Sequence, residues 1–166
     1  MDASQFREYV VEPVVRSLGL PDPKRRIELL MMTAAHESAQ GRYIKQIRGP
    51  ALGLFQMEPA THSYIYSWLC NHQPADRRRA ALEWALERVG SAEQMTGNHY
   101  YATAIAAFNY YSKPGRLPNN IADMTDYAKK YWNTHLGKAT PGDYLDAYIA
   151  WGYRAKDWNF GLLIED

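Results

Sequence analysis

The chain has 166 residues, of which 46% are hydrophobic and 22% are charged, and its formal net charge at pH 7 is +1. These values are ordinary for a globular protein and predict one domain, residues 1–166, with a substantial core. The small net charge argues against a general affinity for nucleic acid or anionic membranes. The one cysteine, Cys70, excludes an intramolecular disulfide. No run of about 18 apolar residues occurs, so we expect no membrane insertion.

The first predicted helix begins after Asp2, which can cap its N-terminus. Its apolar positions are Phe6, Val10, Val14 and Leu18. Pro13 is expected to bend or split this helix, because proline lacks a backbone N–H. Asp22 as the cap and Pro23 at the first helical position predict the start of a second helix.

The second helix carries a carboxylate into an apolar wall. Its apolar stripe is formed by Ile27, Leu30, Met31 and Ala34. Leu30 and Glu37 are seven residues apart, so they differ by only about 20° around the helix axis. Gly41 ends the helix, which places Glu37 in the last turn, where loops form clefts. Burial would raise the pKa of this carboxyl, as a general acid near neutral pH requires. A surface glutamate that extends into solvent is the alternative.

The remaining elements predict a mainly α fold. Residues 41–55 are expected to form a loop with a short extended piece or a small β-hairpin, and Pro59 is expected to open a helix with Ile65, Trp68 and Leu69 buried. Asp76 is predicted to cap another helix. The small residues of 98–111 predict a central core helix, followed by helices over about 121–134 and 141–154 and a tail packed on the core. The expected architecture is a helical bundle around a central helix.

Three motifs, taken together, carry a resemblance. They are Glu-Ser at 37–38, Gly-Leu-Phe-Gln-Met-Glu-Pro-Ala-Thr at 53–61 and Ala-Ala-Phe-Asn at 106–109. In order and spacing they resemble the Glu-Ser, Gly-Leu-Met-Gln…Pro-x-Thr and Ala-x-Tyr-Asn motifs of soluble lytic transglycosylases. The matching segments span roughly residues 25–145, and their residues are most similar to those of phage-encoded, virion-associated members of that family.

The resemblance implies a lysozyme-like fold of the α+β superfamily and a reaction on peptidoglycan. It implies that Glu37 protonates the β-1,4 bond between N-acetylmuramic acid and N-acetylglucosamine. The same residue then acts as the base while the C6 hydroxyl closes on C1, which leaves a 1,6-anhydro end. No water is consumed, and no metal or other cofactor is expected.

The resemblance also implies a set of substrate-binding positions: Ser38, Phe55, Gln56, Phe108, Asn109 and Tyr110. We expect Ser38 to bond to nearby backbone rather than to act as a nucleophile. Gln56 can either line the cleft or support its loop. Phe108 stands where the family has a tyrosine whose hydroxyl approaches the catalytic acid. Either Tyr110 or Tyr111 supplies that hydroxyl, or the contact is absent.

Three alternatives remain open at this stage. Glu58 could be a second carboxylate, which would make the protein a hydrolytic muramidase, or it could be a surface residue at the start of the Pro59 helix. His36-Glu37 matches the start of the zinc motif His-Glu-x-x-His, but Gln40 occupies the place of the second histidine. The third alternative is a non-catalytic peptidoglycan-binding structural protein of a virion.

The polar N-terminus has no signal-peptide core, so we expect synthesis in a host cytoplasm. A cell-wall enzyme made there would reach periplasmic peptidoglycan through a membrane pore or as a virion component. The expected partners are peptidoglycan strands and, for a virion component, other virion or tail proteins.

Overall fold

The computed structural model describes residues 1–133 and 137–152. Its α-helices are α1 Ala3–Phe6, α2 Glu12–Ser17, α3 Pro23–Glu37, α4 Pro59–His72, α5 Ala75–Glu83, α6 His99–Tyr111, α7 Ile121–Ala128 and α8 Pro141–Gly152. Two π-helical turns, Arg7–Val11 and Lys129–Asn133, and two 3₁₀ helices, Leu86–Arg88 and Ala92–Thr96, complete the helical content. The prediction of a mainly α fold is confirmed.

The N-terminal helical stretch is capped and split as the sequence predicts. Asp2 Oδ1 accepts a hydrogen bond from the Gln5 backbone N–H at 3.0 Å. Just before Pro13, the Glu12 N–H donates to the carbonyl of Arg7, five residues back, within the π-helical turn. Proline has no backbone N–H to donate to the carbonyl four residues before it. A local change in the helical hydrogen-bond pattern, here a π-helical turn, is therefore expected beside Pro13.

Proline also sets the start of α3 and α4, with Pro23 and Pro59 in their first turns. The expected cap of α5 is wrong by two residues. That helix begins after Pro74, whose backbone is extended, so Asp76 lies in the first turn instead of capping it. A negative charge is favourable in the first turn as well, so a cap and a first-turn acid look alike in the sequence.

Helix α6 is the centre of the core. Every residue from 101 to 110 is buried, including the small Ala104 and Ala106. These small side chains let the neighbouring helices α2, α3, α4 and α5 approach closely. The prediction of a central core helix over 98–111 is confirmed, with Asn98 as the cap that accepts from the Tyr101 N–H.

The β-element reduces to two isolated antiparallel bridges, Lys45 with Leu52 and Leu52 with Met57, in the segment that joins α3 to α4. At the other end of the chain, α7 runs into the π-helical turn and α8 follows. The predicted helix ends at 134 and 154, and the tail after 154, lie outside the described residues. No helix in the described ranges is both long and apolar enough to cross a membrane.

Candidate active site

Glu37 is the last residue of α3, and the chain turns sharply just after it. Ser38 Oγ donates to the carbonyl of Ala34 at 2.6 Å and accepts from the Gly41 N–H at 2.7 Å. Residues 39–41 all have positive φ, which ends the helix at this point. The backbone therefore leaves the helix axis and frees the Glu37 side chain to face a cleft.

This cleft, called the Glu37 cleft below, has a volume of about 580 Å³. It lies between the end of α3, the loop before α4, helix α6 and the second π-helical turn. Its lining residues are Glu37, Gln46, Ala51, Gln56, Met57, Glu58, Thr61, Asn109, Trp132, Asn133 and Gly137. The volume is in the range of about 300–1,000 Å³ typical of small-molecule sites.

Three side chains from distant parts of the sequence surround the Glu37 carboxyl group. Tyr144 Oη donates to Glu37 Oε1 at 2.7 Å, and the side chain of Asn133 is a second hydrogen-bond partner. Lys129 Nζ donates to Asn133 Oδ1 at 2.9 Å, which leaves the amide NH₂ to face the carboxyl. Lys129 also donates to the carbonyl of Gly137 at 2.8 Å. Gly137 has to be small, since a Cβ there would lie 1.7 Å from Asn133 Oδ1.

Burial of Glu37 raises the pKa of its carboxyl from the ordinary 4.5 to about 7. The hydrogen bonds from Tyr144 and Asn133 and the nearby charge of Lys129 act in the opposite direction, because each stabilises the carboxylate. Loss of solvation is the larger effect. Glu37 is therefore poised to give and to take a proton near neutral pH.

The Tyr144 ring is held in place by His36, whose ring stacks on it at a centroid distance of 4.1 Å. Burial, together with the charge of Glu37, raises the pKa of the Tyr144 hydroxyl well above its usual range. Burial also lowers the pKa of His36. Tyr144 consequently remains a hydrogen-bond donor to Glu37 across the neutral pH range.

The predicted amides reach the same cleft as Glu37. Gln56 has a φ of +44°, and its Nε2 donates to the carbonyl of Gly53 at 2.7 Å. It thus both lines the cleft and supports its loop, which combines the two predicted roles. Asn109 is 4% exposed, and its Oδ1 has no hydrogen-bond partner among the described residues. The second and third motifs therefore each place an amide in the cleft that contains the predicted acid.

Glu58 also lines the cleft. It is exposed and occupies the N-cap position of α4, where its side chain makes no capping hydrogen bond. Glu58 is thus at the start of the Pro59 helix, as predicted. Because its carboxylate makes no capping hydrogen bond, it can interact with groups in the cleft. Within residues 1–133 and 137–152, no three His, Cys, Asp or Glu side chains form a metal-binding group.

Comparisons with protein-family models, with curated proteins and with solved structures give no match for this chain. The motifs and the geometry of the Glu37 cleft are therefore the observations that bear on function.

Four of the predicted substrate-binding side chains lie behind the cleft wall. Ser38 is fully buried, and its hydroxyl bonds to the backbone of Ala34 and Gly41. The prediction that this side chain bonds to nearby backbone is confirmed. Phe55 is 1% exposed and packs near Phe6 and Trp132. Neither Ser38 nor Phe55 lines the Glu37 cleft, so their contact with substrate stays a prediction. A phenylalanine gains more free energy from complete burial in the core than from a place on a polar cleft wall.

Phe108 and Tyr110 do not line the cleft either, since both are buried within α6. The Tyr110 hydroxyl lies 2.7 Å from Thr33 Oγ1, and the Tyr111 hydroxyl accepts a hydrogen bond from Arg77 at 2.8 Å. Neither hydroxyl bonds to Glu37. The tyrosine hydroxyl that does bond to Glu37 is that of Tyr144 on α8.

Sequence reasoning missed Tyr144, Asn133, Lys129 and Trp132. The side chain of Trp132 lines the cleft while its Nε1 donates to the Phe55 carbonyl at 3.2 Å. The only feature of the sequence that pointed to Trp132 was the high aromatic content, 13 Tyr and 5 Trp. Such a content suits a sugar-binding cleft but does not identify which residues line it. The other three are recognisable only once the fold brings them to Glu37.

Proposed function

We propose that the protein is a peptidoglycan lytic transglycosylase that cleaves the β-1,4 bond between N-acetylmuramic acid and N-acetylglucosamine. The observation that carries the proposal is the Glu37 carboxyl, which has a pKa of about 7 and faces a cleft of ligand size. A carboxyl of ordinary pKa would be ionised at neutral pH and could not deliver a proton.

In the proposed reaction, protonated Glu37 gives its proton to the glycosidic oxygen as the bond from C1 breaks. The resulting carboxylate then takes the proton of the muramoyl C6 hydroxyl, whose oxygen bonds to C1. Tyr144 and Asn133 already donate to Glu37, and hydrogen bonds to an ionised acceptor are stronger than those to a neutral one. The pair therefore stabilises the carboxylate formed when the proton leaves.

The remaining lining suits a glycan. Gln56 and Asn109 bring two carboxamides to the cleft, and these can hydrogen-bond sugar hydroxyl and N-acetyl groups. Trp132 offers an aromatic side chain next to them. Such a combination of few oriented polar groups and an apolar surface is typical of small-molecule sites.

A hydrolytic muramidase is the second candidate, and the position of Glu58 favours it. Its exposed carboxylate lines the same cleft as Glu37 and could activate a water molecule against C1. The lyase remains the first choice because the motifs resemble a family that works with one carboxylate.

Two isosteric variants separate these candidates. Glu37→Gln should abolish clearing of purified cell walls under either mechanism, whereas Glu58→Gln should leave a lyase active and inactivate a hydrolase. Mass spectrometry of the products gives a second reading: a lyase leaves 1,6-anhydro ends, and a hydrolase leaves reducing ends with the mass of one added water. Wall clearing by Glu37→Gln equal to that of the unmodified protein would eliminate Glu37 as the catalytic acid of either enzyme, and no clearing by either protein would favour a binding protein.

We further propose a phage-encoded protein that is made in a host cytoplasm and acts on periplasmic peptidoglycan, for penetration or for lysis. This setting is supported by the resemblance of the motifs alone.

A further inference from the structure

A second cavity, called the basic pocket below, lies away from the Glu37 cleft. It has a volume of about 470 Å³ and is formed by the start of α3, the end of α6 with the loop that follows, and α7. Its charged lining residues are Asp22, Arg25, Arg26, Lys113 and Arg116. Four cations therefore face one carboxylate among the described lining residues, although the whole chain has a net charge of only +1.

Arg26 is the most informative of these cations, because it is only 2% exposed. Its two terminal nitrogens donate to the carbonyls of Ala107, at 3.3 Å, and of Pro21, at 3.2 Å. Its Nε has no hydrogen-bond partner among the described residues. The guanidinium also lies 5.7 Å from the centre of the Tyr111 ring. These contacts solvate the guanidinium with neutral groups, and a buried cation without a paired anion is unfavourable.

Among the described residues no carboxylate bonds directly to Arg26. Asp22 acts on Arg26 only through its charge, and its ion pair is with Arg25, with 3.6 Å between Oδ1 and a guanidinium nitrogen. Lys113 is partly buried, and loss of solvation lowers the pKa of its ammonium group. The Tyr127 hydroxyl is buried at the same pocket and has no partner among the described residues. The positive end of the α3 dipole lies there too and adds to the field of the side chains.

We propose that the basic pocket is a binding site for a small molecule that carries an oxyanion, a phosphate or carboxylate group. The bound oxyanion supplies a directly bonded anion for Arg26, and it also bonds to Lys113 and Arg116. Arginine is well suited to this role because its planar donors match phosphate and carboxylate groups. Tyr111 and Tyr127 give the pocket an aromatic surface for the rest of the molecule.

The test is isothermal titration calorimetry of the full chain with inorganic phosphate and, separately, with acetate, at an ionic strength held constant with sodium chloride. We expect saturable binding of at least one of them. The double substitution Lys113→Gln with Arg116→Gln should weaken that binding at least about tenfold, as expected for loss of charge-assisted hydrogen bonds. Both residues are at least partly exposed, so the variant keeps the buried Arg26 and its backbone contacts.

Lys24→Gln is the matched control. Lys24 is exposed in the first turn of α3 but does not belong to the pocket lining, so its loss removes a nearby charge without touching the site. Its affinity should stay within about twofold of the unmodified protein. Tighter binding of phosphate or of acetate identifies which oxyanion the site prefers, and either supports the proposal. Heat signals no greater than those of chloride, or equal weakening by Lys24→Gln, would overturn it.

The site is independent of the reaction at Glu37. Glu37→Gln should therefore bind the oxyanion with unchanged affinity even if the proposed wall-cleaving activity proves absent.

Discussion

Removal of the Tyr144 hydroxyl tests directly how the hydrogen bond from this residue sets the pKa of Glu37. Replacing Tyr144 with phenylalanine removes the 2.7 Å hydrogen bond to Oε1 and retains the ring that stacks on His36. Because that bond favours the carboxylate, its loss should raise the pKa of Glu37 further above about 7.

The size of the shift follows from the difference between two hydrogen bonds. A bond to an ionised group stabilises by about 1.5–3 kcal/mol, and one to a neutral group by about 1 kcal/mol. The difference of roughly 0.5–2 kcal/mol corresponds to about one pKa unit, at about 1.4 kcal/mol per unit. The pKa of Glu37 in the variant should therefore lie about one unit higher.

The assay is the pH dependence of cell-wall clearing, normalised to the maximum of each variant. Activity requires protonated Glu37, so it declines as the pH rises through the pKa of that carboxyl. In Tyr144→Phe this decline should move to higher pH by about one unit. Tyr148→Phe is the matched control. It removes a hydroxyl one helical turn further along α8 that donates to Glu28 instead, so the decline should stay where it is in the unmodified protein.

An unchanged decline in Tyr144→Phe, or one moved to lower pH, would show that the hydrogen bond from Tyr144 does not lower the pKa of Glu37. An equal shift in both variants would also contradict that effect, because a general loosening of α8 would then explain the shift.

Two further predictions concern stability. Glu37 keeps its proton in the folded chain between its ordinary pKa of 4.5 and about 7, where the unfolded chain has lost it, so stability falls as the pH rises through that window. Glu37→Gln has no proton to lose, so between about pH 4.5 and pH 8 its free energy of unfolding should rise by up to about 3 kcal/mol relative to that of the unmodified protein, measured by urea unfolding. A stability difference independent of pH would contradict the burial of the acid. Gly53→Ala should destabilise by about 2 kcal/mol or more in the same assay, because Gly53 has a φ of +73° and a Cβ would lie 2.4 Å from the Met95 carbonyl oxygen. Gly97→Ala, where a Cβ meets nothing within 4 Å, is the control, and equal losses would show that the contact at Gly53 is unimportant.

Features set by neighbouring residues were predictable from the sequence. Prolines at 23 and 59 mark helix starts because their fixed φ suits the first turn, and Asp2 and Asn98 cap because their side chains reach nearby N–H groups. The place of Glu37 in the last turn of its helix follows from the same local rules. These interactions involve residues only a few positions apart, so the sequence shows them directly.

The partners of Glu37 were not predictable in this way. Tyr144 is 107 residues away along the chain, and α8 meets α3 only in the folded protein. Likewise, the motif could not show whether Phe55 and Phe108 face the cleft or the core. A helix or loop presents several faces, and the packing of its neighbours decides which one is buried.

The basic pocket was missed for a different reason. Net charge averages over the whole surface, so a value of +1 conceals a local cluster of cations. An arginine in the first turn of a helix is usually exposed, and nothing near Arg26 in the sequence indicates its burial.

Titration of the Glu37 side-chain carboxyl by carbon-13 NMR, with Glu37→Gln to identify its signal, measures the acid strength of the proposed proton donor itself. We expect a midpoint near pH 7, which reflects an acid held in a poorly solvated cleft. A midpoint near the ordinary value of 4.5 would show a well-solvated carboxylate and would contradict the proposed proton donor.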